Sequence, residues 1–368
     1  MKILIIPNNL TNNCYGVRNG MPAKFLRERG HEIWIKNDWS VVTTKDGRKG
    51  FDPTPIDWAD TIVFNRHYDI DTASLRNLMV YARETGKKVV YETDDLLEGL
   101  NFSNPMYQEM LKHIPQVRMM SSTADTCTTT GEEIRNELSK YNDNVQILPN
   151  CVDPQEWTLR KGKNRKVKVG YAGGSSHNED ISLIIDVIKE LQQEIDFEFI
   201  IFGLAPLKWK QFVDRLTKRH QEDTKNNPES KPNDWYLKTL ELDEKLKKIK
   251  WKHQPFVPLE EYNSTLSELN FDIGLCPLED NRFNRSKSAI KFYEYAMVGT
   301  ACLASKIPPY EGEVNYCAKN KHDKWKSKLR NLIIDKKLRN FISQEQREWV
   351  IANRDIKKNI HLWEQAYN

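Results

Sequence analysis

The chain has 368 residues, of which 39% are hydrophobic and 29% charged, and its net charge is +4. This length predicts about two domains, and the 37 aromatic residues (13 Phe, 14 Tyr and 10 Trp) supply ample core material, which excludes a wholly disordered chain. No apolar run reaches the roughly 18 residues of a membrane span. Six cysteines are scattered without a C-x-x-C pair, so neither a disulfide framework nor a metal cluster is expected and a cytoplasmic location is predicted.

The first half of the chain alternates short apolar runs with stretches of helical period. The apolar run that follows Met1 is too short for the core of a secretory signal and predicts a buried first strand. Strands are predicted at 2–6, 32–35, 61–65, 88–92, 125–128 and 145–148, and helices at 21–29 and 73–84. Such alternation predicts a parallel sheet with helices on both faces.

A linker follows, because two prolines between 149 and 157 precede a basic, glycine-containing run at 160–166. The alternation then restarts, with a helix predicted at 181–193 and strands at 167–171, 197–202, 251–256, 272–275 and 301–304. Helical period returns at the end of the chain. The predicted organisation is an α/β domain at 1–155, a second at 156–345 with a basic insertion at about 206–250, and a terminal helical segment, 346–368, that returns to the first domain.

The first candidate site is the run from Gly170 to Asp180, which follows a predicted strand and opens a predicted helix. Glycines allow close backbone approach, and the free N–H groups at a helix start attract an anion such as a diphosphate. A plain strand-to-helix turn is the alternative interpretation. The glycines do not fit G-x-G-x-x-G, which weakens the case for a nicotinamide cofactor.

The second candidate site lies between a buried strand and Gly299. A helix is predicted from Ser286, a favourable N-cap, to Gly299, a favourable C-cap. On that helix Lys287, Lys291 and Glu294 would share one face. Two lysines at a helix N-terminus can hold a diphosphate, and a glutamate one turn further can accept hydrogen bonds from ribose hydroxyls. The alternative is an ordinary solvated Lys/Glu face.

The third candidate site is the acidic run at 91–95, which directly follows the strand predicted at 88–92. Carboxylates at the carboxyl end of a parallel strand face the cleft where ligands bind. Asp94 or Asp95 could orient or deprotonate an acceptor hydroxyl. The alternatives are helix capping and a loose acidic metal site that includes Glu92.

These motifs together resemble one family. The run Gly-Tyr-Ala-Gly-Gly-Ser-Ser-His-Asn-Glu-Asp at 170–180, the run at 277–296 and the Pro-Asn-Cys-Val-Asp-Pro linker are similar to retaining GT-B glycosyltransferases of the group 1 or family 4 type, including a viral branch that modifies DNA. The resemblance implies two doubly wound Rossmann-like domains that face a cleft, with a C-terminal helix packed back on the first. It also implies transfer of a sugar from a nucleotide-diphosphate donor, a UDP-sugar being favoured, with no metal or other cofactor required.

The resemblance assigns the donor side residue by residue. Glu294 matches the ribose-binding glutamate, and Lys287 and Lys291 match the diphosphate-binding lysines. The family often has a further glutamate eight positions before Glu294, where this chain has Ser286, so the contacts to the donor sugar are expected to differ. The predicted donor-binding residues are Gly173, Gly174, Ser175, Asp280, Asn284, Lys287, Ser288, Lys291 and Glu294.

Catalytic and acceptor roles are assigned on the facing side of the cleft and at the first motif. The predicted catalytic residues are Asp94, Asp95 and His177, although His177 could simply cap its helix. For acceptor binding the candidates are Arg18, Arg66 and His67. An ordinary surface role is the alternative for Arg18.

The acceptor is predicted from charge. Residues 208–253 hold 13 lysines and arginines against 8 aspartates and glutamates, and they include Trp209, Trp235 and Trp251. Basic and aromatic residues together suit nucleic acid. The predicted acceptor is therefore a hydroxymethylated pyrimidine in duplex DNA or a glycan, and the alternative for the segment is a solvated helical hairpin. A non-catalytic nucleotide-sugar-binding protein and a nucleotide-dependent oxidoreductase remain the other functional hypotheses.

Overall fold

The computed structural model describes residues 1–10, 13–37, 41–43, 49–102, 104–226 and 232–368. Its described strands form two six-stranded parallel sheets and one two-stranded antiparallel sheet. No helix in the described ranges combines the length and the apolar character that crossing a membrane requires.

The N-terminal sheet is built from the first part of the chain. Its strands, with the antiparallel pair β3 and β4 between them in sequence, are β1 (Lys2–Ile6), β2 (Glu32–Ile35), β3 (Val41–Thr43), β4 (Lys49–Phe51), β5 (Thr61–Asn65), β6 (Lys88–Thr93), β7 (Thr126–Thr129) and β8 (Val145–Ile147). The helices are α1 (Asn13–Tyr15), α2 (Met21–Glu28), α3 (Thr54–Trp58), α4 (Thr72–Glu84), α5 (Tyr107–Leu111), α6 (Ile114–Thr123) and α7 (Glu132–Leu138). The sheet order β2-β1-β5-β6-β7-β8 is that of a doubly wound fold.

The C-terminal sheet repeats this architecture. Its strands are β9 (Lys168–Gly173), β10 (Glu198–Gly203), β11 (Lys252–Gln254), β12 (Ile273–Cys276), β13 (Ala301–Ser305) and β14 (Cys317–Ala318), in the order β11-β10-β9-β12-β13-β14. The helices are α8 (Asn178–Glu194), α9 (Trp209–Asn226), α10 (Asp234–Leu246), α11 (Leu259–Leu269), α12 (Arg282–Arg285), α13 (Ile290–Met297), α14 (His322–Ile334), α15 (Lys336–Asn353), α16 (Ile356–Asn359) and α17 (His361–Tyr367). The central strands are buried on both faces, as parallel sheets require.

The end of the chain crosses from one sheet to the other. Helix α15 packs against α13 and β13, whereas α16 and α17 pack against α2 and β6. The crossing is held by backbone hydrogen bonds of Val152, whose N–H donates to Arg354 (2.8 Å) and whose carbonyl accepts from Ile356 (2.9 Å). Trp363 and Tyr367 are then buried against the N-terminal sheet. The expected return of a C-terminal helix is confirmed, while the domain boundaries at 155 and 345 stay a prediction.

The insertion predicted at about 206–250 folds as the helices α9 and α10. Its tryptophans are used for packing: the indole N–H of Trp209 donates to Asp243 (2.9 Å), and that of Trp235 donates to the carbonyl of Ser175 (3.0 Å). The ring of Trp251 lies edge-on to Trp209, with centroids 6.3 Å apart. These aromatic rings therefore anchor the insertion to the C-terminal sheet. Packing accounts for their presence without any role in base stacking.

Each strand predicted from the sequence is present, with ends displaced by a residue or two at most. Three strands in the described part of the chain were not predicted. Val41–Thr43 and Lys49–Phe51 form the small antiparallel pair, and Cys317–Ala318 extends the edge of the C-terminal sheet. All three are too short to show a period of their own.

Candidate active site

The carboxyl ends of the two sheets face each other across a central cavity, which adjoins a side cavity. The central cavity, of about 140 Å³, is lined by Cys14, Val17, Arg66, Asp94 and Asp95 from the N-terminal side, by Asn150, and by His177, Leu278, Lys287, Ser288, Ile290, Lys291 and Tyr310 from the C-terminal side. The side cavity, of about 300 Å³, lies within the C-terminal side and shares Ile290 and Lys291 with the central one. Ligands bind at this edge of a parallel sheet, where the strand order reverses.

Glycines let two strand ends approach closely at the floor of the side cavity. Gly203 ends β10 with a φ of +97°, and a Cβ atom there would lie 2.2 Å from the carbonyl oxygen of Gly173. Only glycine fits such a backbone position. Gly173 and Gly174 line the same cavity, so a ligand on this floor can approach the backbone directly.

Glu294 forms the opposite wall of the side cavity. Its carboxylate is buried and accepts a hydrogen bond from the hydroxyl of Tyr262 at 2.8 Å. The ring of Tyr262 in turn stacks on Phe202, with centroids 5.3 Å apart. Glu294 is thus a carboxylate held in place by packing, and its position suits recognition of vicinal hydroxyls.

Lys291 lies where the two cavities meet. Its Nζ atom is buried and has no hydrogen-bond partner among the described residues, and it lies 5.2 Å from the centre of the Tyr171 ring. Burial lowers the pKa of Lys291, against a weaker opposing influence from Asp180. A buried ammonium without a counter-ion is costly. An anion bound at this junction would supply the counter-charge that the amine lacks among the described residues.

The donor lysines do not share one helix as the sequence pattern predicted. Helix α13 begins only at Ile290, so Lys287 and Ser288 lie in the loop between α12 and α13. Ser286 is not an N-cap, because its hydroxyl donates to the carbonyl of Phe283 at 2.7 Å. The predicted start of the helix was wrong, because α12 ends at Arg285 and residues 286–289 form a turn and a loop before α13 begins. Gly299, with a φ of +75°, ends α13 in the left-handed conformation as predicted.

His177 is held by a carboxylate. Its Nδ1 atom lies 2.6 Å from Oδ2 of Asp180, whose Oδ1 accepts hydrogen bonds from the backbone N–H of Glu279 (2.7 Å) and from the side-chain amide of Asn284 (2.9 Å). Burial, reinforced by Lys291, lowers the pKa of His177 to about 4. The neutral ring then donates from Nδ1 to Asp180, which leaves Nε2 as a hydrogen-bond acceptor at the central cavity.

This arrangement predicts a pH effect on stability. A histidine with a folded pKa of about 4 binds fewer protons than in the unfolded chain, so its contribution is present above pH 6.5 and is lost as the pH falls toward 4. We expect wild type to lose about 2 kcal/mol more unfolding free energy between pH 7 and pH 5 than His177→Gln does. Urea denaturation of both proteins at the two pH values measures this difference. Equal losses in the two proteins would contradict the assignment.

Arg66 binds two of the three acidic residues of the third motif, Asp94 and Asp95. Its Nε lies 2.6 Å from Asp94 and its Nη2 lies 2.8 Å from Asp95. Burial would raise the pKa of Asp94, but the Arg66 guanidinium outweighs it and lowers that pKa. Arg66 itself has a φ of +60°, a strained conformation for a residue with a side chain, which functional sites often retain. Asp94 is thus a weak base and a good hydrogen-bond acceptor.

Arg18 does not lie on the acceptor surface that the sequence suggested. Its side chain is only 1% exposed, and its Nε lies 2.7 Å from the carboxylate of Glu92. Its Nη1 donates to the carbonyl of Leu148 (2.7 Å) and to Oδ1 of Asn150 (2.9 Å). Arg18 follows a short helix and lies in the π-helical turn Gly16–Gly20, which turns it inward. A direct contact with the acceptor was therefore the wrong interpretation.

Four other predicted residues lie outside the set that lines the two cavities. Asp280 forms an exposed ion pair with Arg285 (2.5 Å). Asn284 is buried and bonds Asp180, and the carbonyl of Ser175 accepts from Trp235. The ring of His67 packs on that of His113, with centroids 4.2 Å apart. The ligand-binding roles predicted for these four stay predictions.

One set of side chains in the described ranges has the spacing of a metal site. Ligand atoms of Asp69, Glu109 and His113 lie within 4.8 Å of one another. Both carboxylates are well exposed, and the set lies beside His67 rather than in either cavity. Exposed acidic groups of this kind occur commonly without an ion, so these residues do not by themselves define a metal centre.

Several residues that line the cavities escaped the sequence analysis. Cys14, Asn150 and Tyr310 reach the central cavity, and Tyr262 and Phe256 reach the side cavity. Asn150 was the most accessible to prediction, because it stands in the linker motif that contributed to the family resemblance. Nothing in the sequence marked the others, since single aromatic residues and a lone cysteine are usually part of a core.

Known proteins resemble this chain in fold but not in sequence. No protein-family model matches the sequence, and no curated protein does. Solved structures match over the full chain. An alpha-glucosyltransferase in complex with UDP and a 13-mer DNA containing an HMU base superposes with a TM-score of 0.64 at 10% identity, covering 100% of this chain and 98% of that one. The chain has the GT-B fold.

Two further GT-B structures superpose to a similar extent. The catalytic domain of starch synthase IV from Arabidopsis thaliana, bound to ADP and acarbose, gives a TM-score of 0.61 at 11% identity, with 100% of this chain and 98% of that one covered. A glycosyltransferase from Rickettsia africae gives 0.61 at 12%, with 100% and 97% covered. At identities this low, the superpositions establish the shared GT-B fold and nothing beyond it. The fold that the sequence resemblance implied is thereby confirmed.

Proposed function

We propose that this GT-B protein is a glycosyltransferase that moves a sugar from a nucleotide-diphosphate donor to an acceptor hydroxyl with retention of configuration. The observation that carries the proposal is the buried ammonium of Lys291 at the junction of the two cavities, which has no hydrogen-bond partner among the described residues. A diphosphate fits at Lys291 because the parts of a nucleotide sugar on either side of it also find partners. Glu294 lines the side cavity, where its carboxylate accepts hydrogen bonds from the ribose, and His177 lines the central cavity, where it accepts one from the sugar. Neighbouring GT-B structures were solved with UDP, UDP-glucose and ADP.

Each part of the donor has its own place in the two cavities. The nucleoside occupies the side cavity against Gly173 and Gly203, the diphosphate lies at Lys287 and Lys291, and the sugar extends into the central cavity toward His177. Departure of the diphosphate builds negative charge at the two lysines while positive charge develops on the sugar. Preorganised cations in a site that excludes water stabilise such a transition state most effectively.

Asp94 and Asp95 orient the acceptor. Because Arg66 lowers the pKa of Asp94, this carboxylate accepts a hydrogen bond from the attacking hydroxyl more readily than it removes the proton. The acceptor then approaches from the face that the diphosphate leaves, and the departing phosphate oxygen takes the proton of the attacking hydroxyl. This attack from the same face gives retention. No step requires a metal or an added cofactor, since the lysines supply the charge.

The acceptor is either a hydroxymethylated pyrimidine in duplex DNA or a glycan. DNA is favoured by an excess of exposed basic residues on α9, where Lys210, Arg215, Lys218, Arg219 and Lys225 are exposed beside three exposed acidic residues, Asp214, Glu222 and Asp223. The hydroxymethyl group of such a base projects into the major groove, where an enzyme can reach it. The glycan alternative rests on the likeness to a starch synthase domain bound to acarbose.

Release of UDP from UDP-glucose tests the donor half of the proposal. We expect slow release by the protein alone and faster release with the correct acceptor, and we expect Glu294→Ala to lose both. Glu345→Ala, an exposed glutamate on α15, is the matched control and should behave as wild type. Stabilisation by UDP without turnover of any nucleotide sugar would instead indicate a non-catalytic binding protein, and stabilisation by NAD alone would indicate an oxidoreductase.

The acceptor half is tested with three substrates: duplex DNA containing 5-hydroxymethyluracil or 5-hydroxymethylcytosine, unmodified duplex DNA, and a glucan oligosaccharide. For a DNA acceptor, the double variant Lys218→Glu/Arg219→Glu should slow transfer to modified DNA and reduce its salt dependence, because each lost phosphate contact lowers the slope by about one. Lys336→Glu/Lys337→Glu, an exposed pair on α15, is the control. Transfer to glucan alone, indifferent to both double variants, would assign the glycan.

A further inference from the structure

We propose that Ser288 donates its hydroxyl hydrogen to the diphosphate of the donor, and that Asn150 and Arg18 fix the direction of that hydrogen bond. The inference rests on the proposed function, because it needs an anion in the central cavity. It assigns new positioning roles to a linker residue and to a buried arginine. Ser288 is the group that contacts the ligand.

The argument begins at the buried guanidinium of Arg18. Glu92 (2.7 Å) and the carbonyl of Leu148 (2.7 Å) hold this group, so it cannot turn away. A guanidinium has only hydrogen-bond donors. The side chain of Asn150, at 2.9 Å, must therefore turn its oxygen toward Arg18. The chemistry of the partner thus fixes the orientation of this amide.

The orientation of Asn150 decides the role of Ser288. With its oxygen facing Arg18, Asn150 turns its NH₂ group toward Oγ of Ser288, which accepts a hydrogen bond at 2.7 Å. The hydroxyl hydrogen of Ser288 cannot point back at an N–H donor. It must point to another acceptor, and Ser288 makes no further side-chain hydrogen bond among the described residues.

The remaining direction is the central cavity. Ser288 and Asn150 both line it, together with Lys287 and Lys291. An anion held by the two lysines would accept the Ser288 hydrogen as a charge-assisted bond. The three hydrogen bonds then run in one direction from a buried cation to the ligand, an arrangement in which each bond polarises the next.

The chain of bonds also joins the two sides of the cleft. Arg18 belongs to the N-terminal side, Asn150 follows β8, and Ser288 precedes α13. The Ser288 hydrogen is therefore directed into the cavity only when the two sides are together as in this structure.

Asn150→Asp is the decisive variant, because aspartate has the shape of asparagine but only acceptor atoms. Ser288 would then donate to Asp rather than to the ligand. We expect the affinity for UDP, measured by titration calorimetry on the full chain, to fall at least about tenfold, as expected for loss of a hydrogen bond to a charged group. Ser288→Ala should lose about the same, Ser288→Thr should keep wild-type affinity, and Ser288→Ala should add little in the Asn150→Asp background.

Binding of uridine distinguishes the loss of a diphosphate contact from general damage to the binding site. It lacks the diphosphate, so its affinity, measured by ligand-observed NMR, should be the same in wild type, Asn150→Asp and Ser288→Ala. Equal weakening of uridine and UDP would overturn the inference, and so would unchanged UDP affinity in both variants. In the latter case loss of UDP binding in Lys291→Met would leave the proposed function standing. Absence of binding of every nucleoside diphosphate tested (UDP, ADP, GDP and CDP) in wild type would overturn the proposed function itself.

Discussion

Replacing Lys291 with methionine is expected to weaken UDP binding by about 100-fold or more without destabilising the fold. The side chain keeps its length and its contact with the Tyr171 ring, but the buried charge is lost. Removing one partner of a buried, hydrogen-bonded charge pair typically costs roughly 2–5 kcal/mol of binding free energy. In the absence of ligand the same charge has no partner among the described residues, so its removal should leave the free energy of unfolding unchanged or raise it.

The matched control is Lys328→Met. Lys328 also places its Nζ over a tyrosine ring, 4.3 Å from the centre of Tyr316, but it lies on α14 away from both cavities. Titration calorimetry with UDP and urea denaturation should therefore show wild-type binding for Lys328→Met. Wild-type UDP affinity in Lys291→Met would remove the observation on which the proposed function depends.

Replacing Glu92 with methionine is expected to cost about 3–5 kcal/mol of unfolding free energy. Glu92 is fully buried, and its carboxylate binds Arg18 at 2.7 Å and accepts a hydrogen bond from the side chain of Asn65. Without the carboxylate, the guanidinium of Arg18 loses its counter-ion while it stays buried. Guanidinium chloride or urea denaturation at pH 7 measures the change.

Two comparisons show whether the loss arises from the unpaired charge. The double variant Arg18→Met/Glu92→Met should be more stable than Glu92→Met alone, because no charge is then left buried. Asp196→Asn breaks an exposed ion pair, in which Asp196 is 72% exposed and lies 2.6 Å from Lys166, and should cost less than about 1 kcal/mol. A Glu92→Met protein within 1 kcal/mol of wild type would contradict the buried-pair argument.

The fold was largely predictable because local patterns repeat along the chain. Runs such as 2–6 and 61–65 are buried on both faces of a parallel sheet, and so they appear in the sequence as continuous apolar segments. Gly299 was predicted as the end of α13 because the left-handed conformation favours glycine so strongly. The short hairpin at Val41–Thr43 and Lys49–Phe51 escaped, since its strands are too short to show a period.

The candidate site was only partly predictable. Lys291 and Glu294 could be chosen from their spacing and from the family resemblance, and both line the side cavity. Arg18 was misinterpreted as an acceptor residue because a single arginine gives no sign of whether it is buried. The packing of the insertion's tryptophans was not visible for a similar reason, because Trp209 and Trp235 donate to partners that are far away in the sequence.

By itself the sequence determined the alternation of strands and helices and the two-sheet organisation, because these depend on local periodicity and on residue type. Only the tertiary structure decided which charges are paired. Asp94 and Asp95 are held by Arg66, Arg18 is held by Glu92, and Lys291 is left without a partner in the described structure. Pairing depends on distances between groups on different strands and on burial from water, and neither is encoded in the spacing of residues along the chain.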